Sequence, residues 1–185
     1  MRVIAGTARR MQLETPSGMD TRPTQDIIKE TFFNIIQFDV PGSVFLDLCA
    51  GSGSIGIEAL SRGAKRAYLV ENGREAAACI QKNLHKTHFE ESGVLLKMDV
   101  LNALHHISEK RADIIYLDPP YASDTCREVL QELDHAPYVT AETLIIAETS
   151  LDSDFSFLDA TGLQIVREKD YRSQRHLFIR RRPAQ

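Results

Sequence analysis

From Val44 onward, short apolar runs alternate with longer stretches in which apolar residues recur every three or four positions. The runs at 44–48, 66–70, 94–98, 113–117 and 143–148 have strand length, and the stretches at 54–62, 73–86, 100–108 and 124–134 have helical spacing. Strands alternating with helices imply a parallel sheet covered on both faces, an α/β fold. After Leu163 the pattern changes to two strand-like runs, 163–170 and 175–181, around Tyr171-Arg-Ser-Gln174. These predict a hairpin that completes a seven-stranded, mostly parallel sheet with one strand antiparallel. Ahead of this core, residues 2–14 read as a β-hairpin: Arg2-Val-Ile-Ala5, a turn at Gly6-Thr-Ala8, then a strand over 9–14. The stretch from Arg22 to Ile36 predicts a helix with Thr24 as N-cap and Ile27, Ile28, Phe32, Ile35 and Ile36 on one apolar face. The chain thus divides into a hairpin extension, 1–20, and a single α/β domain, 21–185.

Composition changes this picture little. No run is apolar enough to span a membrane, and the start lacks the long apolar segment of a signal peptide. The three cysteines are scattered, and the six histidines show no ligand spacing with them. Reduced thiols in a cytoplasmic protein without a structural metal are the expectation. Net charge is −4, but its distribution is uneven. Between Leu163 and the end, seven Lys/Arg face two acids, so that segment is +5 and the remainder −9. Arg172, Arg175, Arg180, Arg181 and Arg182 there, with Arg2, Arg9 and Arg10 in the first hairpin, are candidates to hold a polyanion backbone. A solvated tail is the competing reading.

The candidate chemistry begins at Asp47-Leu-Cys-Ala-Gly51-Ser-Gly53-Ser-Ile-Gly56, a glycine turn between a strand and a helix. Glycines there allow a tight turn and let backbone N–H groups approach a ligand closely. Asp47, at the strand end, can accept from an ammonium, and Glu71, at the end of the next apolar run, can take both hydroxyls of a ribose. A nucleoside carrying an amino acid satisfies both, so S-adenosylmethionine fits better than a dinucleotide. Asp99 follows the third strand and can bind an adenine amine or cap the next helix. Arg22 and Thr24 can serve as helix-capping chemistry or as a rim over the cofactor. The fourth strand runs into Asp118-Pro119-Pro120-Tyr121. Two prolines stiffen the backbone and leave its carbonyls without competing N–H groups. Asp118 and the Pro119 carbonyl can accept from an exocyclic amine while Tyr121 stacks on the ring.

With these motifs in view, the chain resembles the class I, Rossmann-like S-adenosylmethionine methyltransferases that act on exocyclic amines. More closely, it resembles the bacterial family that makes N2-methylguanine in 16S ribosomal RNA. The likeness rests on Arg2-Val-Ile-Ala-Gly6, Arg22-Pro-Thr24, Glu30-Thr-Phe-Phe-Asn34, the stretch from Asp47 to Gly63, and Asp118-Pro-Pro-Tyr121. It departs at Glu71-Asn72-Gly73, where an Asp often follows the ribose-binding acid after one residue. The resemblance implies a cofactor site of Asp47, Ala50, Gly51, Ser52, Gly53, Glu71, Asn72, Asp99 and Val100, closed by Arg22 and Thr24. It implies Asp118, Pro119 and Tyr121 as the catalytic clamp on a base flipped from its stack. It further implies a monomer acting on 16S RNA in the 30S subunit or an assembly particle. Adenine-N6 methylation of DNA or RNA is the enzymatic alternative, and a cofactor-binding ribosome-assembly factor the non-enzymatic one.

Overall fold

In the computed structural model, residues 1–16, 23–120 and 124–183 are described, the side chains of residues 23–25 excepted. The helix α1 (Pro23–Ile35) is followed by β1 (Val44–Asp47), α2 (Ser54–Ser61), β2 (Arg66–Val70), α3 (Arg74–Thr87) and β3 (Gly93–Leu96). Then come α4 (Val100–Leu104), β4 (Ile114–Leu117), α5 (Thr125–His135), β5 (Leu144–Thr149), a 3-10 turn (Ser156–Ala160), β6 (Leu163–Asp170) and β7 (Arg175–Arg181). The sheet order is β3-β2-β1-β4-β5-β7-β6, with β7 antiparallel to both of its neighbours. The expected seven-stranded, mostly parallel sheet is what the chain forms.

The central strands are almost wholly buried, which suits parallel strands covered on both faces. One face carries Phe32, Phe33, Phe45, Ile57, Ile80 and Ile146, beneath α1, α2 and α3. The other carries Leu46, Leu104, Ile115, Leu130, Leu133 and Ile145, beneath α4 and α5. Strand order reverses between β1 and β4, the position where open α/β sheets bind ligands beyond their carboxyl ends.

One local expectation is extended and two are corrected. The first hairpin forms, with an antiparallel bridge from Arg2 to Gln12 and cross-strand N–H donations from Val3 to the Met11 carbonyl, Arg10 to the Val3 carbonyl and Leu13 to the Met1 carbonyl. The N–H groups of Ile4 and Ala5 donate to the Glu58 carboxylate at 2.7 and 3.0 Å, and that of Ala8 to Ser61 Oγ at 2.9 Å. Burial of Val3, Ala8 and Leu13 adds the packing that a two-stranded ladder lacks alone and welds the hairpin to α2. Gly6 makes the close approach possible: its φ is +82°, and a Cβ there would lie 1.7 Å from the Ser61 carbonyl oxygen. Next, α1 already begins at Pro23, so Thr24 lies in the first turn and does not cap it. Proline suits that first position, having no N–H to leave unpaired. Finally, Ile27 is turned out to solvent, and Phe33 takes its place in the core beside Phe32 and Ile36.

Candidate active site

The carboxyl ends of the parallel strands deliver one acid each to a single cleft. Asp47 ends β1, Glu71 follows β2, Asp99 precedes α4 beyond β3, Asp118 follows β4, and Glu148 lies near the end of β5. All five line one cavity of about 890 Å³. That volume is near the top of the range for ligand pockets and exceeds what a lone nucleoside needs.

The glycine turn is built by its acids. Asp47 is almost fully buried, and its Oδ2 accepts from the Gly56 N–H at 2.9 Å, tying the strand end to the start of α2. Burial, offset in part by that hydrogen bond and reinforced by the nearby Glu71 charge, pushes its carboxyl up to about 7. Asp47 is thus a structural brace of the turn as well as part of the cleft wall. Gly53, at φ +79°, stands at the N-terminus of α2, and a Cβ on it would come within 2.9 Å of Leu69. Glu71 accepts from the N–H groups of Gly51 at 2.9 Å and Gly73 at 2.7 Å. The missing second acid therefore leaves a backbone amide, that of Gly73, to orient Glu71. Ala50, Gly51, Ser52, Asn72 and Val100 line the same cavity, and Gly53 closes the turn behind them.

Asp99 resolves into the capping role left open by its position. Its carboxylate accepts from the Asn102 N–H at 3.0 Å and from the Asn102 side chain, which holds its carboxyl below the usual carboxylate range. It still faces the cleft. Lone capping and ligand contact are compatible, because a carboxylate has about four acceptor positions.

At the β4 end, burial first, and then the charges of Glu148 and Asp47, push the Asp118 carboxyl up to about 8. Pro119 is buried and lines the cavity beside it. Tyr121 and Arg22 lie outside the described residues, as does the side chain of Thr24. Cys49 in the cleft wall and Cys126 near Asp118 are not nucleophiles in waiting: burial pushes both thiols up to about 12, so they stay protonated at neutral pH. Among the described residues no group of three or more His, Cys, Asp or Glu is placed to hold a metal ion. Among the described residues no helix is long and apolar enough to cross a membrane.

This constellation has relatives. A family described as Conserved hypothetical protein 95 matches residues 1–180. A putative rRNA methyltransferase YlbH of Bacillus subtilis is 35% identical over 150 residues, covering 80% of this chain and 82% of the relative. Ribosomal RNA small subunit methyltransferase D of Haemophilus influenzae is 32% identical over 154 residues, covering 82% and 80%. The chain belongs to the small subunit methyltransferase D family. A solved structure from Escherichia coli, a putative methyltransferase yhhF, superposes with a TM-score of 0.83 at 27% identity, covering 100% of this chain and 99% of that one. Family membership makes this chain a methyltransferase by descent.

The arginines divide. Arg9 and Arg10 are exposed on the N-terminal segment, and Arg172 is exposed in the β6–β7 turn, next to the Gln174 that lines the cleft. Arg2 pairs with Asp26 at 3.2 Å, and Arg175 pairs with Asp170 and Glu168. Arg180, Arg181 and Arg182 instead lie at the opposite edge of the sheet, because β7 runs antiparallel to β5. Their guanidiniums donate to the backbone carbonyls of Glu142, Asp134 and Leu163, respectively. The structure neither leaves them as a solvated tail nor brings them to the cleft.

Three polar groups of the site were missed in the sequence. Glu148 ends an apolar strand run just as Asp47 and Asp118 do, and that signal was available. Lys29 is buried, its ammonium held by the Arg2 carbonyl at 2.7 Å and Ser54 Oγ at 2.9 Å. His176, inside an apolar strand, donates or accepts at Glu148 Oε2 over 3.0 Å. Nothing local marked either residue as a cleft neighbour.

Proposed function

We propose that this protein transfers a methyl group from S-adenosylmethionine to the exocyclic N2 of a guanine in 16S ribosomal RNA. The observation that carries the reading is the convergence, in one cleft, of the carboxylates after β1, β2 and β3 with Asp118-Pro119 after β4. Membership in the small subunit methyltransferase D family supports the RNA assignment.

The donor set fits this cofactor. Glu71, Asp99, Asp47 and the Gly51–Ser52 turn line one cleft. Glu71 would supply acceptors for a pair of ribose hydroxyls, Asp99 would hold an adenine amine, and Asp47 with the glycine turn would hold the amino-acid portion. The cofactor, when bound, supplies a methyl group on a positively charged sulfur. The residues of the chain do the rest. Guanine N2 is a poor nucleophile because its lone pair is delocalised into the ring. Acceptors at Asp118 and the Pro119 carbonyl favour a more tetrahedral nitrogen, and they bind more strongly as positive charge builds there. In a transfer that exchanges the methyl–sulfur bond for a methyl–N2 bond, N2 would shed a proton, and Asp118 in its ionised form, its carboxyl raised to about 8, would be basic enough to take it. Tyr121 would stack on the flipped base. Arg2, Arg9, Arg10 and Arg172 would contact phosphates of the 30S subunit or an assembly particle, with the protein acting as a cytoplasmic monomer.

Labelled methyl transfer to undermethylated small-subunit particles, naked 16S RNA and DNA, followed by nucleoside analysis, tests the proposal. N2-methylguanosine from the particles is the expected product. N6-methyladenosine would keep the clamp and replace the substrate. Tight cofactor binding without product from any substrate would turn the assignment to an assembly factor.

A further inference from the structure

We infer that Glu148 is a specificity residue that reads the ring N1–H of the target guanine beside Asp118. The inference rests on the guanine-N2 reading above and adds how the base is chosen.

The register of β4 against β5 pairs Leu117 with Ala147, which makes Asp118 and Glu148 the next neighbours along those strands. Alternation along each strand turns both side chains to the face that carries Tyr116 and Ile146. Both acids line the same cleft, and neighbouring strands lie about 4.8 Å apart. Glu148 is held firmly. Its Oε2 accepts from Tyr116 Oη–H at 2.6 Å and meets His176 Nε2 at 3.0 Å. The His176 ring is in turn wedged edge-on against Phe32, Tyr116 and Tyr171, with centroids 5.4, 6.0 and 4.8 Å away. This aromatic cage fixes the carboxylate while leaving its side chain about 11% exposed, on the cleft side.

A carboxylate is an acceptor only, with about four lone-pair positions. Guanine presents two adjacent donors, N1–H and N2–H, along one edge. Paired carboxylates on adjacent strands therefore match guanine: Asp118 at the reacting amine and Glu148 at the ring N–H. Adenine and 2,6-diaminopurine carry a lone pair at N1, which would face a carboxylate lone pair. An N–H at N1 is attracted by the Glu148 carboxylate, whereas a lone pair at N1 is repelled by it, so the site discriminates by the sign of that contact.

The test uses small-subunit particles reconstituted with guanine or 2,6-diaminopurine at the methylated position, the latter keeping the N2 amine but lacking N1–H. The full-length protein is expected to prefer guanine in kcat/KM by roughly ten- to a hundredfold, the worth of one hydrogen bond to a charged group. Glu148→Gln, whose amide can donate to N1, should shrink or reverse that preference, with cofactor affinity by calorimetry retained. Glu148→Asp keeps the acceptor character and should restore the guanine preference. Equal losses on both bases in Glu148→Gln would reduce Glu148 to a brace for Tyr116 and His176 and overturn the inference. Absence of discrimination by the unaltered protein would overturn it as well. Failure to form N2-methylguanosine on guanine particles is a separate result, and it would overturn the underlying function.

Discussion

Glu58 offers the sharpest test of how the N-terminal segment is held. Its carboxylate is fully buried on α2 and accepts from the N–H groups of Ile4 at 2.7 Å and Ala5 at 3.0 Å. It also pairs with Arg62 at 2.8 Å and Lys29 at 3.5 Å, both mostly buried. Glu58→Gln preserves shape, replaces one acceptor oxygen by an amide donor, and leaves two cations without their counter-charge. Removing one partner of a buried ion pair costs about 3–5 kcal/mol. For a domain of this size each kcal/mol lowers Tm by about 2–4 °C, so a fall of roughly 6–20 °C is expected. The same loss should be local before it is global. In native-state hydrogen exchange, the amides of Ile4, Ala5, Thr7 and Ala8, all bonded to α2 residues, should lose protection ahead of the central strands. A fall of less than about 3 °C, or exchange at these amides that tracks the sheet, would refute the view that Glu58 is the clasp.

Asp118→Ala should bind cofactor nearly as the unaltered protein does and lose on the order of a hundred- to a thousandfold in methyl transfer, as loss of a preorganised charge-stabilising contact does; equal losses in both measurements would remove it from the clamp. The pH profile has a defined sign: an Asp that ionises near 3.8 unfolded but about 8 folded holds an extra proton in the native state between those values. Stability should therefore fall as pH rises across that window, and Asp118→Asn should flatten the fall and raise Tm at pH 8, as followed by thermal unfolding. Over the same window kcat/KM should rise toward pH 8, as the acceptor becomes ionised in the free enzyme; a flat profile would argue against an ionised Asp118. For RNA contact, Arg172→Gln should reduce the salt dependence of particle binding by about one ion. The Arg180, Arg181 and Arg182 triple replacement measures the expected contact of that cluster: a lowered Tm with an unchanged salt slope would assign those three to the fold alone.

Much of the fold was legible because each central strand is one unbroken apolar run, and each crossover helix shows helical spacing after it. The acids at strand ends were legible for a related reason: a charge that interrupts a buried run has to lie at its tip, where Asp47, Glu71 and Asp118 are found. Glu148 obeyed the same rule and was overlooked, since no glycine turn or proline pair accompanied it. Asp99 could not be divided between cap and ligand contact from sequence, because the residue type preferred at an N-cap is also the one preferred for binding an amine.

The sequence by itself determined the order of strands and helices, the glycine turn with its flanking acids, and the Asp118-Pro119 strand end, because these depend on residues close together along the chain. Only the tertiary structure decided which distant groups share a neighbourhood. It docked the hairpin of residues 1–13 on α2 through Glu58 and Ser61, since a short two-stranded ladder is stable only when packed against a further element. It placed Glu148 beside Asp118 through the register of β5 on β4, and carried Arg180–Arg182 away from the cleft through the reversed direction of β7. Strand direction and register are set by pairing across the sheet, and that pairing joins residues far apart in the chain.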